Sequence, residues 1–225
     1  MNDTTPVITI DGPSGSGKGT IARLLAEKLD WHLLDSGALY RLLALAAEER
    51  GLAEEDEIAA VAASLDIRFE VTESGDERII LDGKDVTVET RLETTGNKAS
   101  KVAAMPKVRA ALVDRQHAFR KPPGLVADGR DMGTVIFPEA PLKFFLTASA
   151  QERAERRHKQ LIEKGKTANI ADLFREISER DERDASREAS PLRPADDAVV
   201  IDTTSTDIAV VLDQVLQYVR KTFPN

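Results

Sequence analysis

A chain of 225 residues, 41% hydrophobic and 31% charged, has the length and composition of a soluble globular protein that buries a real core. Its formal net charge of -8 argues against general nucleic-acid binding, and the absence of cysteine removes disulfides and thiolate metal sites, which fits a reducing cytosol. No apolar run approaches the roughly 18 residues of a membrane span, and the start Met1-Asn2-Asp3-Thr4-Thr5 lacks the basic and apolar regions of a signal peptide.

The apolar run Val7-Ile8-Thr9-Ile10 predicts a first strand, and Ile21 to Leu29 a first helix. Between them lies Gly12-Pro13-Ser14-Gly15-Ser16-Gly17-Lys18-Gly19-Thr20. Strand, glycine-rich loop and helix in this order make a phosphate cradle: backbone N–H groups turn inward, the helix dipole adds positive charge, and Lys18 reaches the terminal phosphates of a nucleoside triphosphate. The residue after the lysine is Gly19, with the hydroxyl one place later at Thr20, so the usual hydroxyl contact to magnesium is in doubt. The bland alternative is an ordinary glycine turn.

Trp31 to Leu34 predicts a second strand, ended by Asp35-Ser36-Gly37, followed by helices over Ala38 to Arg50 and Glu54 to Ser64. From Asp66 to about Thr95 the period becomes two. Ile67, Phe69 and Val71, then Ile79 and Leu81, then Val86 and Val88 alternate around the turn signals Ser74-Gly75-Asp76 and Asp82-Gly83-Lys84. This predicts a small three-stranded antiparallel sheet, read as an inserted mobile subdomain, with a strand pair added to the main sheet as the alternative.

Asn97 to Phe119 has a helical pattern with Pro106 as a break. Leu125-Val126-Ala127, Lys143 to Thr147 and Val199 to Asp202 predict three more short strands. Short apolar strands alternating with helices imply a parallel sheet with helices on both faces and ligands at its carboxyl ends, where the glycine loop, Asp35, Asp128 and Thr147 fall. Gln151 to Lys164 and Ile170 to about Glu188 are charged helices joined by Gly165-Lys166-Thr167. They read either as a solvated hairpin laced with i, i+4 pairs or as a lid bringing Arg153, Arg156, Arg157, Arg180, Arg183 and Arg187 over a transferring phosphoryl group. A final helix over Asp207 to Thr222 is expected to pack on the sheet. His32, His117 and His158 lack metal-ligand spacing, and no protein-built metal site is expected.

With these pieces in place, ITIDGPSGSGKGT at 8 to 20, LLDSGALYR at 33 to 41, GLVADGRDMGTVIFP at 124 to 138 and ERDERDASRE at 179 to 188 strongly resemble the bacterial cytidylate kinases, members of the nucleoside monophosphate kinases. The resemblance covers nearly the whole chain, and Gly19-Thr20 is usual in that group. It implies a P-loop kinase of α/β class: a five-stranded parallel core, an inserted antiparallel β module that binds the monophosphate, and a short helical lid. One domain over 1–225 is expected, with core 1–64, 96–150 and 190–225, insertion at about 65–95 and lid at about 151–189. The implied reaction moves the γ-phosphate of ATP to CMP or dCMP with magnesium, giving ADP and CDP or dCDP.

Carried over by position, Gly12 to Thr20 hold the ATP phosphates, with Arg157 added from the lid, while Ser36, Arg41, Ser100, Arg109, Asp128, Arg130, Asp131, Arg180, Asp184 and Arg187 match the monophosphate site. Lys18, Arg130 and Arg187 are the candidate catalytic residues. Cytosine offers an amino donor beside ring acceptors, which suits Asp131 with Arg109 and Ser100, and Asp128 is a second carboxylate for the role. Arg41 and Arg130 suit the acceptor phosphate, since a guanidinium grips it bidentately. Arg180 and Asp184, four apart, suit the sugar hydroxyls, and Arg187 the phosphate. Surface ion pairs are the plain alternative for the arginines. Other acceptors (UMP, AMP or an alcohol such as shikimate) are the competing enzyme reading; a nucleotide switch is a third, opposed by Ser100 in Asn97-Lys98-Ala99-Ser100, where guanine recognition uses aspartate. A cytoplasmic monomer with small nucleotides as its partners, and neither nucleic acid nor membrane, is expected.

Overall fold

The computed structural model describes residues 5–71, 77–163, 165 and 167–224. In chain order the elements are β1 (Val7–Asp11), α1 (Lys18–Leu29), β2 (His32–Asp35), α2 (Ser36–Glu49), α3 (Glu55–Ser64), β3 (Ile67–Val71), β4 (Glu77–Leu81), β5 (Lys84–Asp85), α4 (Thr87–Thr90), α5 (Glu93–Val102), α6 (Pro106–His117), β6 (Leu125–Gly129), a π-helical turn (Met132–Ile136), β7 (Leu142–Thr147), α7 (Ala150–Glu163), α8 (Ile170–Ser186), β8 (Val199–Asp202) and α9 (Ile208–Thr222). They form two compact units, residues 1–35 with 118–225, and residues 36–117.

The first unit holds a five-stranded parallel sheet in the order β2-β6-β1-β7-β8, flanked by helices. All residues of β1 and β6 are buried, the pattern of parallel strands covered on both faces. Ile8, Ile10, Val126 and Phe144 from the sheet pack with Ile21 and Leu25 of α1 and Val211 and Val215 of α9. Each such side chain contributes roughly 1.5–3 kcal/mol by leaving water. α1 starts where Gly17, the N-cap, turns left-handed (φ 88°), and stops where Asp30 does the same and donates its N–H back to Ala26 and Glu27. The five predicted strands are all present in this sheet.

Within the same unit α7 and α8 pair around Ala154, Leu173 and Ile177, a small core of their own. Asn169 caps α8 by accepting the Ala171 N–H at 2.9 Å. The expected i, i+4 pairs exist on α7, as Gln151 with Glu155 and Glu152 with Arg156. Lys164 and Lys166, the predicted helix end and the middle of the joint, lie outside the described residues. One predicted bound is corrected: α8 stops at Ser186, and Arg187 is extended (φ -64°, ψ 140°) because the chain turns back and the Leu192 N–H reaches the Asp184 carbonyl at 2.8 Å.

In the second unit α2, α3, α5 and α6 enclose Leu42, Leu43, Ile58, Val102, Val108 and Leu112, with Ile79 and Leu81 from its sheet. Pro106 does end one helix pattern and open the next, as the first residue of α6, where its missing N–H costs nothing. The antiparallel sheet runs β3-β4-β5, with Ile67 opposite Leu81 and Phe69 opposite Ile79. The predicted turn Ser74-Gly75-Asp76 lies outside the described residues. The third strand was expected to run through Val86 and Val88, and it does not: β5 is only Lys84–Asp85, and α4 follows. The cause is local. The Asp85 carboxylate accepts the Thr87 N–H and hydroxyl at 3.0 and 2.6 Å, closing a side-chain turn, and Thr87 Oγ1 takes the Ile79 N–H at 2.9 Å in place of a backbone acceptor. Among the described residues no helix is long and apolar enough to cross a membrane.

Candidate active site

The glycine loop leaves β1, the middle strand, and enters α1, so its amides open at the carboxyl ends of the parallel strands. A side chain at Gly12 would lie 2.0 Å from the Leu146 carbonyl oxygen of β7, so only glycine lets the loop leave the sheet here. Beyond it the loop is fastened from outside. The Thr203 hydroxyl reaches the Ser16 carbonyl at 2.9 Å, and Arg156 binds Thr203 in turn. Arg153, 3% exposed, donates one Nη1 to the Ser14 carbonyl at 3.0 Å and to Asp181 at 3.1 Å, and its Nε to the Ala148 carbonyl at 3.0 Å. Thus Arg153 and Arg156, grouped by the sequence with the lid arginines, are held by acceptors of this unit; Arg157 is half-buried on α7.

Lys18 lies 3.9 Å from Asp128, the fourth residue of β6. Burial pushes its ammonium down to about 8, aided by Arg130 and Arg180 and opposed by Asp128 and Asp35. Gly19 abuts the same carboxylate: a Cβ there would stand 3.2 Å from Asp128 Oδ2. Thr20 is exposed on the first turn of α1. Arg130 Nε contacts Asp184 Oδ2 at 2.6 Å, with Arg180 Nη1 3.4 Å from the Ser14 hydroxyl. Burial works against the charges of this pair. Mutual attraction outweighs it, holding Arg130 above its ordinary value and Asp184 below the carboxylate range. Arg180, Asp184, Asp131 and Arg187 are all buried. Lys18, Asp128, Arg130, Arg180 and Asp184 therefore form one linked set in the first unit.

The remaining candidates belong to the second unit. Ser36 opens α2 and is buried, and Arg41, half-buried, lies on the same helix. Ser100 is buried on α5. Arg109, 7% exposed on α6, holds its guanidinium 5.8 Å from the centre of the Tyr40 ring and donates to the Ala103 carbonyl at 3.2 Å, which fixes its orientation.

Sequence reasoning missed Asp11. It ends β1, is 5% exposed, and accepts the Met132 and Gly133 N–H groups, each at 2.8 Å. Burial raises its carboxyl to about 7; those two amides pull it down, and Asp131 and Asp128 push it further up. An acidic residue closing an otherwise apolar strand next to the glycine loop was the available signal. Among the described residues no group of three metal-binding side chains is present. Asp128, beside Lys18 and Gly19, is a hard oxygen donor of the kind that would suit a magnesium ion.

Comparison with known proteins agrees with this geometry. A family model described as cytidylate kinase matches residues 8–221. The cytidylate kinase of Yersinia enterocolitica is 56% identical over 98% of this chain and 96% of its own length, and that of Shewanella frigidimarina 58% identical over 97% of each. A crystal structure of an uncharacterized protein from Eubacterium ventriosum, 12% identical over 96% of this chain and 98% of its own, superposes with a TM-score of 0.50, a likeness of fold alone. With one family model spanning almost every element described above and full-length relatives beyond half identity, the chain belongs to the cytidylate kinase family.

Proposed function

We infer that this protein transfers the γ-phosphate of ATP to CMP or dCMP. The observation that carries the reading is the linked set of Lys18, Asp128, Arg130, Arg180 and Asp184 at the mouth of a glycine loop, in a chain of this family. The acceptor is an anionic phosphate, so no strong base is needed. Rate enhancement comes from aligning donor and acceptor and from cations placed where charge spreads in the transition state.

Gly12 to Thr20 cradle the ATP phosphates, Lys18 neutralises the β- and γ-groups, and Arg157 joins from the lid. Asp128 is the second carboxylate of the monophosphate site and would also offer an oxygen to magnesium, which when bound would neutralise charge on the ATP phosphates. Asp131 accepts from the cytosine amino group, with Arg109 and Ser100 on the ring acceptors and Ser36 beside them. Arg41, Arg130 and Arg187 grip the acceptor phosphate, and Arg180 with Asp184 meets the sugar hydroxyls. In this reading the whole chain is one P-loop kinase domain, residues 65–95 serve the monophosphate, residues 151–189 form the lid, and the protein acts as a cytoplasmic monomer.

Uracil would set an acceptor against Asp131, leaving both groups unsatisfied, a mismatch that discriminates strongly. Initial rates with Mg-ATP and a panel of CMP, dCMP, UMP, AMP and shikimate test the assignment. CMP or dCMP should give the highest kcat/KM; faster turnover of UMP, AMP or shikimate overturns it.

A further inference from the structure

Asp11 grips a segment of backbone rather than a side chain. Oδ1 accepts the Met132 N–H and Oδ2 the Gly133 N–H, both at 2.8 Å, one amide to each oxygen. Only a carboxylate of this length answers two parallel amides in this way, because an asparagine would turn an NH2 donor toward one of them. The two amides open the π-helical turn, and the residue before them is Asp131, whose carbonyl accepts from Val135 and Ile136 at 2.9 and 3.2 Å. On the other side, Gly129 of β6 stands in register opposite Asp11 itself. Arg130 and Asp131 are thus the two residues spanning from a strand paired with β1 to a turn fastened to the end of β1.

We propose that Asp11 is a positioning residue for the acceptor nucleotide: its two-pronged hold on Met132 and Gly133 fixes the backbone carrying Arg130 and Asp131, so it sets cytosine recognition without touching the substrate. This rests on Asp131 reading the base. A loosened turn shifts a base-reading carboxylate, and misplacement on the scale of an ångström weakens recognition many-fold. Asp11 also directly precedes Gly12, so a role confined to the glycine loop would instead weaken ATP. The two substrates report on different jobs.

Two variants perturb the hold from opposite sides. Asp11→Asn removes one acceptor. Gly133→Ala leaves the carboxylate intact but introduces a Cβ 2.8 Å from Thr9 Oγ1 and 3.4 Å from Asp11 Oδ2, displacing the turn. Steady-state kinetics at pH 8 should show KM for CMP raised about tenfold in each, with KM for Mg-ATP changed less than about twofold. A rise in KM for ATP as large as that for CMP, or no change in either, overturns the proposal. If Asp11→Asn does not fold, Gly133→Ala decides by the same two constants. Asp131→Asn separates the two layers: if it leaves KM for CMP unchanged, the base-reading assignment fails, whereas if it raises KM for CMP while Asp11→Asn and Gly133→Ala do not, only the positioning role fails.

Discussion

Arg130 and Asp184 meet at 2.6 Å with side chains 15% and 4% exposed, a buried ion pair in which the acid also faces Arg180 and Arg187. Removing one partner strands charge in a dry setting, which costs far more than the pair contributes over an apolar replacement. Asp184→Asn should therefore lower stability at pH 7 by about 3 kcal/mol and raise KM for CMP. Asp184 is held below its unfolded value of 3.8, so its contribution is present above that pH and fades as pH falls below it. Urea unfolding at pH 7 and pH 3 checks this; an equal cost at both would sink it.

Lys18, pushed down to about 8, gives up its proton in the ligand-free protein far below the unfolded value of 10.5. Between these values the unfolded chain binds the proton more tightly, so this group makes stability rise with pH from about 8 to 10.5. Incoming phosphates restore the ammonium. ATP binding at pH 8.5 should take up roughly three-quarters of a proton, read from calorimetry in buffers of different ionisation heat, and Lys18→Met should abolish the uptake and cut kcat by at least about a hundredfold.

Asp11 has the opposite linkage to an ordinary paired carboxylate. Its folded value of about 7 exceeds the unfolded 3.8, so the folded state holds the proton more tightly and this group lowers stability as pH rises between them. Relative to wild type, Asp11→Asn should show a flatter fall in Tm from pH 4.5 to pH 7.5. Identical pH slopes would count against it.

Arg153 ties the Ser14 carbonyl of the glycine loop to Asp181 of α8 through one guanidinium. Lysine keeps the charge but cannot make the fork. Arg153→Lys should raise KM for ATP about fivefold, the effect of one lost charged hydrogen bond partly compensated, and leave KM for CMP unchanged. Equal effects on both substrates would point to general loosening of the unit.

Most of this architecture was legible because its signals are local. Five apolar runs bounded by turn residues, and a glycine loop between a strand and a helix, stand out without tertiary knowledge. What escaped depends on pairs distant in sequence. Asp11 looks like a strand end until Met132 and Gly133 arrive, and Arg153 looks like surface charge until Ser14 and Asp181 surround it. The Val86–Val88 alternation misled because a single Asp85–Thr87 side-chain turn outcompeted two β-branched residues. A π-helical turn of five residues is too short for any period to betray.

The strand order has a consequence for synthesis on the ribosome. β1 emerges early but its partners in the sheet are β6 and β7, so Val7 waits for Leu125 and Ile8 for Val126 before either finds a neighbour, and Ile8 waits longer still for Leu142. Residues 36–117, by contrast, are contiguous and contain their own apolar core. The nascent chain therefore closes its middle first, while the phosphate-binding strand remains an unpaired apolar edge, the stage at which a chaperone would have most to hold.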